Sequence, residues 1–453
     1  MRYLITFVLI SLIPIALFAQ WKSVAAGRQH SMAIKSDNTV WAWGRNKYGE
    51  LGNNTYIDTP SPVQVALPTG NWLFIEMGAE HSVAIKSDGT LWTWGRNNYG
   101  QLGDGTVVTS NKPAQIKGGG TWISASVKGA ATLAIKSDGT LWGWGSIPNS
   151  GGSTNTIKEP VQIGTSNSWA SINLGFNHAI GIQKDGSLWA WGANTEGQLG
   201  DGTTAGYDVP KKTGNVNSWA KISAGEYHSI ALKTDGTLWV WGDNYFGQLG
   251  IGSTNDALLP TQVGNSNKWI SIAAGWDHSF AIDNNNNLWG WGRNGGRLGN
   301  GTANSSNIPI LCGSAARQVS GGDFHSIVLN TSGQFCGTGE NSYGELGTGS
   351  TSTIVNKLGC ATVGTGEVEL PFHFDIFPNP GSAWVQVSAE FEGSQHGWVS
   401  VRTIDGRQTH LIGFPAVSRL EQLLNIQQLP PGLYIVEVQT DKGKELKKLI
   451  IHH

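Results

Sequence analysis

The stretch Leu238-Trp-Val-Trp-Gly242 decides the fold of this 453-residue chain, because the same phrase returns along the whole sequence. The phrase is an aliphatic residue followed by Trp-x-Trp-Gly, and successive copies lie 47 to 51 residues apart. Its last glycine falls at seven positions, the seventh in a degraded copy: Gly44, Gly95, Gly145, Gly192, Gly242, Gly292 and Gly339. A period near 50 residues with strand-like content is typical of a β-propeller, whose repeats bury their faces against each other in a ring. The sequence therefore predicts an all-β protein with a seven-bladed β-propeller.

The fifth repeat shows what each copy contains. Residues 219–225 alternate apolar and polar side chains, as a half-buried strand does, and residues 228–233 and 238–242 follow as two more strands. Asp235-Gly236 separates the second and third strands with the residue pair that tight hairpin turns favour. Residues 260–263 include a proline, which suits an edge strand. Each repeat is thus predicted to form one four-stranded antiparallel blade.

Tryptophan and histidine recur at fixed positions of the repeat. Eighteen of the 21 tryptophans occupy only three positions, which predicts that they pack in the core. Six histidines share one position, where Thr132 is assigned in the third copy: His30, His81, His178, His228, His278 and His325. Equivalent positions around a ring cannot converge on one ion, so a metal site is not expected. We expect a structural hydrogen bond that fixes the loop before the second strand, with no cofactor and no catalytic histidine.

The three cysteines all lie in the last two repeats. Cys312 and Cys360 hold the same position in neighbouring repeats and are expected to be too far apart to bond, given the limit of about 7 Å between bonded Cα atoms. Cys336 stands where the other repeats carry the first tryptophan of the phrase. A possible disulfide therefore joins Cys336 to Cys312 or to Cys360, and the third thiol stays free.

Charge and hydropathy limit the class of protein and its location. Only 14% of residues are charged, the net charge is −2 and no basic run stands out, so nucleic acid is not an expected partner. Met1-Arg2, the apolar residues 4–17 and the small residue Ala19 predict a cleaved signal peptide, residues 1–19. An uncleaved membrane anchor is the alternative, but the apolar run is shorter than the roughly 20 residues that a spanning helix needs. No other segment is long and apolar enough to span a membrane, and a monomer is expected.

The repeat resembles the RCC1 (regulator of chromosome condensation) repeat in three phrases. These are Gly-x-x-His-Ser, Asp-Gly-Thr-Leu-Trp-x-Trp-Gly and Asn-x-x-Gly-Gln-Leu-Gly, and the resemblance covers residues 21–363. The resemblance implies a seven-bladed propeller. The founder of the family is a guanine-nucleotide exchange factor, but that activity needs an inserted β-wedge that no repeat here is long enough to hold. The related plant ultraviolet-B photoreceptor carries Gly-Trp-Arg-His-Thr phrases, which residues 275–279 match only without the arginine.

Residues 372–453 follow a different pattern. The phrases Phe377-Pro-Asn-Pro380 and Ile404-Asp-Gly-Arg407 precede an alternating apolar run over residues 433–438, which predicts a small β-sandwich. The segment resembles the type IX secretion (Por) sorting domain of Bacteroidetes, which implies handling by that machinery and a secreted or outer-membrane surface-attached protein. The predicted organisation is a signal peptide (1–19), a propeller (20–363), a linker (364–371) and a sorting domain (372–453).

Candidate binding residues lie where the repeats differ from each other. The two residues before each repeat histidine vary, and repeats four to seven place an aromatic there, usually beside an acid or an amide: Phe176, Asn177, Glu226, Tyr227, Trp276, Asp277, Asp323 and Phe324. Equivalent positions form a contiguous arc on one face, and aromatics on exposed loops favour a binding surface. Packing between blades is the alternative role for these side chains.

Two classes of function follow from this pattern. The first is a non-catalytic binding scaffold for an extracellular protein or glycan. The second is a secreted carbohydrate-active or other hydrolytic or lyase enzyme, for which Asp277 and Asp323 in adjacent repeats form the one tempting pair of carboxylates. The remaining acids mostly repeat as turn residues in every blade, so we expect no catalytic residue.

Overall fold

The computed structural model describes residues 21–116, 119–152, 156–360, 372–377, 383–403, 408–440 and 444–451. The predicted signal peptide and linker, and the phrase residues 378–380 and 404–407, lie outside the described residues. The chain forms two compact units that divide after Val363. Within the described ranges, no helix is long and apolar enough to cross a lipid bilayer.

Seven four-stranded antiparallel sheets follow one another along the first unit, and each takes its strands in order from one repeat. The strands of blades 1 to 4 are β1 (Trp21–Ala26), β2 (His30–Lys35), β3 (Val40–Gly44), β4 (Thr59–Gln64), β5 (Trp72–Met77), β6 (His81–Lys86), β7 (Leu91–Gly95), β8 (Ser110–Gln115), β9 (Trp122–Lys128), β10 (Ala131–Lys136), β11 (Leu141–Gly145), β12 (Ile157–Gln162), β13 (Trp169–Leu174), β14 (His178–Gln183), β15 (Leu188–Gly192) and β16 (Tyr207–Lys212). Blades 5 to 7 contain β17 (Trp219–Ala224), β18 (His228–Lys233), β19 (Leu238–Gly242), β20 (Ala257–Gln262), β21 (Trp269–Ala274), β22 (His278–Asp283), β23 (Leu288–Gly292), β24 (Ser306–Gly313), β25 (Ala316–Gly321), β26 (His325–Asn330), β27 (Phe335–Glu340) and β28 (Ile354–Cys360). These seven blades confirm the predicted all-β propeller.

The phrase Asp-Gly-Thr-Leu-Trp builds the turn between the second and third strands. In blade 5 the Asp235 carboxylate accepts hydrogen bonds from the Thr237 backbone N–H at 3.0 Å and from its hydroxyl at 2.7 Å. The Trp239 indole N–H donates to the same hydroxyl at 2.8 Å. Gly236 has φ of 81°, a conformation that glycine adopts without a steric penalty. The turn aspartates are therefore structural.

Tryptophan fills the space between neighbouring blades. Trp241 of blade 5 is fully buried, and its indole N–H donates to the Gln198 carbonyl of blade 4 at 2.8 Å. A Cβ atom on Gly200 would lie 2.8 Å from the Trp241 ring, so the Gly-Gln-Leu-Gly loop must end in glycine. The twelve buried tryptophans are Trp21, Trp43, Trp72, Trp94, Trp122, Trp144, Trp169, Trp191, Trp219, Trp241, Trp269 and Trp291.

The repeated histidines link one blade to the next. His228 Nε2 lies 2.9 Å from the Ser279 hydroxyl of blade 6, and that hydroxyl donates to the Gln248 carbonyl at 2.8 Å. The same bond between histidine Nε2 and a hydroxyl joins six of the seven neighbouring pairs: His30–Ser82, His81–Thr132, His178–Ser229, His228–Ser279, His278–Ser326 and His325–Ser31. The expected side-chain hydrogen bond exists, but it joins two blades instead of fixing a loop within one.

The third blade corrects the alignment of its repeat. Ala131 pairs with Gly145 as His81 pairs with Gly95, so Ala131 holds the histidine position and Thr132 the serine position. The placement of Thr132 at the histidine position was wrong, because Lys128 extends the first strand where the other blades have glycine. A Cβ atom on that glycine would meet the histidine ring, 2.5 Å away in the case of Gly78. A blade without the histidine can therefore carry a lysine there.

The ring closes through hydrogen bonds between blade 7 and blade 1, without exchange of a strand. Blade 7 takes all four strands from its own repeat. The Trp21 N–H donates to the Gly333 carbonyl at 2.8 Å. Gln318 exchanges two hydrogen bonds with the backbone of Val24, and Arg317 donates to the Trp21 carbonyl at 2.7 Å.

A disulfide joins Cys336 and Cys360 within blade 7. The two residues are direct partners in the register of β27 and β28, so the bond ties the outer strand of the last blade to its neighbour. Of the two pairings that the sequence allowed, the structure contains this one, and Cys312 is free and half-buried.

The second unit is a small sandwich built from strands that fold over one core. Its strands are β29 (Phe372–Phe377), β30 (Trp384–Thr403), β31 (Gln408–Asn425), β32 (Gly432–Thr440) and β33 (Lys444–Ile451). The first part of β30 pairs with β29 and its last part with β32, while β31 follows it along most of its length. Val387, Val401 and Leu424 lie in one buried cluster, which the stacked rings of Phe391 and Phe414 extend. This confirms the predicted sandwich.

Candidate functional site

The candidate residues lie on the inner loops, which we define as the residues joining the first and second strands of each blade. Backbone hydrogen bonds connect these loops around the ring: the Phe176 N–H donates to the Glu226 carbonyl at 3.2 Å, and the Glu226 N–H to the Trp276 carbonyl at 3.0 Å. The Trp276 N–H continues the series to the Gly322 carbonyl at 3.2 Å. Because the loops are bonded to each other, the blades hold these side chains in fixed relative positions.

Four side chains form one connected surface, the aromatic arc, made of Phe176, Tyr227, Trp276 and Phe324. The Phe176 ring centroid lies 6.3 Å from that of Tyr227 and 5.6 Å from that of Trp276. Trp276 and Phe324 are stacked, with centroids 6.1 Å apart. All four are half-buried, so they combine packing against each other with contact to solvent. The rings thus pack against each other, as the alternative role expects, and part of each ring stays open to solvent, while the binding role stays a prediction.

Two acids beside the arc are buried and carry their own cations. Asp277 is 7% exposed and lies 3.2 Å from Arg293 of the same blade. Asp323 is 4% exposed and lies 3.3 Å from Lys128 Nζ, which reaches it from blade 3. Burial raises the pKa of both carboxyl groups, and their partner cations oppose that rise. These two aspartates are therefore parts of the framework that supports the arc.

Glu226 and Asn177 complete the set. Glu226 is half-buried, and Tyr227 follows it in the same loop. Burial, followed by the charges of Asp277 and Asp323, raises the pKa of Glu226 to about 8. Asn177 is also half-buried, and its backbone carbonyl accepts the Ala193 N–H at 2.8 Å. The structure brings all eight predicted residues to one end of blades 4 to 7.

The sequence reasoning missed two cations that shape this surface. Arg297 is 7% exposed, its Nε donates to the Asp323 carbonyl at 3.4 Å, and its guanidinium lies 5.6 Å from the Phe324 ring centroid. Lys128 crosses the ring to Asp323. Both depart from the repeat, since Arg297 replaces the glutamine of Gly-Gln-Leu-Gly and Lys128 replaces a glycine. A search of the sequence for residues that differ from the repeat pattern would have found both.

The same face has a different character over blades 1 and 2. Arg45 and Arg96 both bind Glu80, and the two guanidinium groups lie 5.5 and 4.9 Å from the Tyr48 ring centroid. This side therefore mixes arginine with tyrosine, whereas blades 4 to 7 present mostly aromatic rings and carboxylates.

A central cavity of about 270 Å³ lies along the propeller axis, lined by the first strands of the blades. Its wall includes Glu76, Lys128, Asn173 and Ser223. Burial raises the pKa of Glu76 to about 7, and Lys128 opposes the rise. In the part of the chain that the structure describes, no group of three or more His, Cys, Asp or Glu side chains could hold a metal ion.

Family models match both units of the chain. The RCC1-like domain model matches residues 117–366, and two models of the regulator of chromosome condensation (RCC1) repeat match residues 21–50 with 74–101 and residues 37–85 with 88–135. The secretion system C-terminal sorting domain model matches residues 375–452. This tail marks the chain as one handled by the type IX secretion machinery, and hence as a cell-surface or extracellular protein.

Curated relatives share short stretches of sequence with the chain. The ultraviolet-B receptor UVR8 of Arabidopsis thaliana is 36% identical over 95 residues, which is 21% of this chain and 22% of the receptor. The E3 ubiquitin-protein ligase HERC2 of Homo sapiens is 31% identical over 96 residues, which is 21% of this chain and 2% of the ligase. The match to each relative thus spans less than a quarter of that relative's length.

Solved structures share the propeller over most of the chain. Prp20p from Saccharomyces cerevisiae is 20% identical with a TM-score of 0.64, covering 79% of this chain and 90% of the yeast chain. Human WBSCR16 is 21% identical with a TM-score of 0.61, covering 69% of this chain and 87% of the human chain. At this identity the likeness shows the fold alone. The repeat phrases, the seven blades and the family match over more than half of the sequence together show that the chain belongs to the RCC1-like propeller family.

Proposed function

We propose that the exported propeller is a non-catalytic binding scaffold, which captures an extracellular protein or glycan at the aromatic arc. The observation that carries the proposal is that the arc is both contiguous and unrepeated. Phe176, Tyr227, Trp276 and Phe324 touch ring to ring, and blades 1 to 3 have no aromatic side chain at the equivalent positions. Clustered aromatics on a rigid support are the side chains that most often dominate binding energy.

The repeat framework needs no aromatic residue at these positions. Blade 2 forms the same four strands and the same histidine bond to the next blade with Ala79 and Glu80 in its inner loop. The large rings of blades 4 to 7 are therefore not required to build a blade. Half-buried aromatic side chains that the framework does not require support a role in binding.

A glycan-cleaving enzyme has less support. Such enzymes need one carboxyl group to protonate the leaving group and a second to act as a base or nucleophile, both reaching the substrate. Asp277 and Asp323 are buried, and each is held by a cation, Arg293 or Lys128. Exchange of guanine nucleotides by analogy with the family founder has less support still, because repeats of 47 to 51 residues leave no room for an inserted wedge.

Affinity capture tests the proposal. The chain from Gln20 onward would be immobilised and exposed to the medium of the producing cells and to a panel of glycans. A variant with Phe176→Ala, Tyr227→Ala, Trp276→Ala and Phe324→Ala should lose the retained partner. Tyr245→Ala is the matched control, because Tyr245 is 75% exposed and lies outside the arc. Equal capture by the four-site variant, or robust polysaccharide turnover that Asp277→Asn abolishes, would contradict the proposal.

A further inference from the structure

One acidic residue beside the arc, Glu226, has no salt bridge among the described residues. Glu226 lies between Phe176 and Trp276 in the order of the inner loops, and backbone hydrogen bonds join its N–H and carbonyl to those two residues. The ring centroids of Phe176 and Trp276 lie 5.6 Å apart, and Tyr227 follows Glu226 in the same loop with its ring centroid 6.3 Å from that of Phe176. Three neighbouring aromatic residues therefore flank one acidic residue.

Glu226 has no salt-bridge partner among the described residues, in contrast to its neighbours. Asp277 lies 3.2 Å from Arg293, and Asp323 lies 3.3 Å from Lys128. Among the described residues, no lysine, arginine or histidine nitrogen forms a salt bridge with Glu226. The titratable groups that face it are Asp277, Asp323, Tyr227 and Lys128, and the two aspartates affect its pKa more than Lys128 does. The neighbouring groups thus make the electrostatic potential at Glu226 negative.

The fold does not require a carboxylate here. At the equivalent inner-loop position the other blades carry Arg28, Ala79, Gly129, Phe176, Trp276 and Asp323, and Asp323 is the member that Lys128 neutralises. A half-buried acid without a counterion is costly to ionise, since burial disfavours the charged form. A cation bound beside Glu226 would offset this cost, which points to a positively charged ligand.

We propose, on the basis of the proposed binding role of the arc, that Glu226 with Phe176, Tyr227 and Trp276 binds the ammonium group of a lysine side chain on a protein partner. An aromatic ring attracts a cation through its negative face, and a carboxylate adds a charge-assisted hydrogen bond. A neutral glycan would use the rings but would supply no charge to favour the ionised form of Glu226. The charge of the site therefore favours a basic peptide segment over a glycan.

A labelled hexalysine peptide, titrated with the chain from Gln20 onward in a fluorescence anisotropy assay, tests the assignment. The matched probe is the same peptide with all six lysines acetylated, which removes the charge and keeps the length. Glu226→Gln should weaken hexalysine binding about 10-fold or more, the usual range for losing a charged partner. Glu159→Gln removes an exposed acid on the outer strand of blade 3 and should leave the affinity unchanged.

The pH dependence separates this site from a general attraction between charges. Because the pKa of free Glu226 is about 8, binding should strengthen between pH 6 and pH 9, while lysine stays charged. Glu226→Gln resembles the protonated acid in shape and should lose that dependence without a change in melting temperature. Equal binding of the acetylated peptide, an unchanged affinity in Glu226→Gln, or no binding of hexalysine would overturn the assignment. Binding of a neutral hexasaccharide that needs Trp276 but not Glu226 would overturn it and leave the arc as a binding surface.

Discussion

Ala131 and Ala179 occupy, in blades 3 and 4, the positions that hold histidine and a hydroxyl side chain at the other six blade interfaces. Both residues are buried in the same hydrophobic cluster. The two partners are therefore missing together, and no buried imidazole or hydroxyl is left without its partner at this interface. A pair of polar groups replaced together by apolar ones costs little, whereas removal of one partner leaves the other unsatisfied. The seven interfaces thus follow one rule: the histidine and the hydroxyl side chain are either both present or both absent.

This rule predicts coupling between His228 and Ser279. His228→Ala should lower the free energy of unfolding by about 2–5 kcal/mol, because it removes a buried ring and a hydrogen bond. Ser279→Ala should cost about 1–3 kcal/mol, since it leaves the buried Nε2 of His228 without its partner. The double variant should cost less than the sum by about 1 kcal/mol, measured by urea unfolding of the four proteins. Strict additivity would show that the bond contributes nothing to the interface.

The buried histidines make stability depend on pH in a defined direction. Burial lowers the pKa of His228 to about 3 from the value of 6.5 that it has in an unfolded chain. Between these values the unfolded chain binds a proton that the folded chain does not, so the contribution is complete above pH 6.5 and is lost as the pH falls toward 3. His228→Ala should therefore reduce the slope of unfolding free energy against pH by about 1.4 kcal/mol per unit between pH 4 and pH 5.5. An identical slope in the variant would mean that His228 titrates normally in the folded protein.

The ion pair between Lys128 and Asp323 should stabilise the ring across its axis. Removing one member leaves a buried charge, which costs about 3–5 kcal/mol in comparable pairs. Asp323→Asn and Lys128→Met should each lower the melting temperature, and the double variant should be more stable than the sum of the two effects predicts. The nearby Arg28 and Arg297 also favour a charged Asp323, so Lys128→Met should be the milder single change. If the double variant lost as much as both single changes together, the pair would not be coupled.

The disulfide of blade 7 should fix its outer strand. Denatured protein without reductant should show one reactive thiol, that of Cys312, in a standard thiol titration. A variant with Cys336→Ala and Cys360→Ala should lose about 2–4 kcal/mol of stability, whereas Cys312→Ser should change little. Three reactive thiols in the denatured protein would contradict the pairing.

Repetition made most of the fold predictable from the sequence. The Trp-x-Trp-Gly phrase gave the number of blades, because each copy sits on a third strand and the six intact copies bury their second tryptophan. The role of the histidines was less accessible, since Ser279 lies one full repeat after His228 and only the ring geometry brings them together. The third copy was misaligned because Lys128 stands where the other repeats have glycine, and spacing alone cannot show that its strand is longer.

The sequence predicted which residues belong to the candidate site but not their burial or their ion pairs. All eight residues lie on neighbouring inner loops, as the variable positions indicated. Asp277 is paired with Arg293 of its own blade, but the buried Asp323 depends on Lys128 of blade 3 and on Arg297 of blade 6, which binds its backbone carbonyl. Contacts between residues so far apart in sequence leave no local pattern. That Glu226 has no salt-bridge partner among the described residues could therefore be recognised only in the structure.

We propose the aromatic arc as the surface that binds the partner. Hydrogen–deuterium exchange of the protein, free and in complex with the captured partner, tests it most directly because it reports on each loop separately. We expect slower exchange on binding at residues 175–178, 225–228, 275–278 and 322–325, with no change in the outer strands of the blades. Protection confined to the outer strands, such as β16 and β20, with these inner loops unchanged, would contradict it.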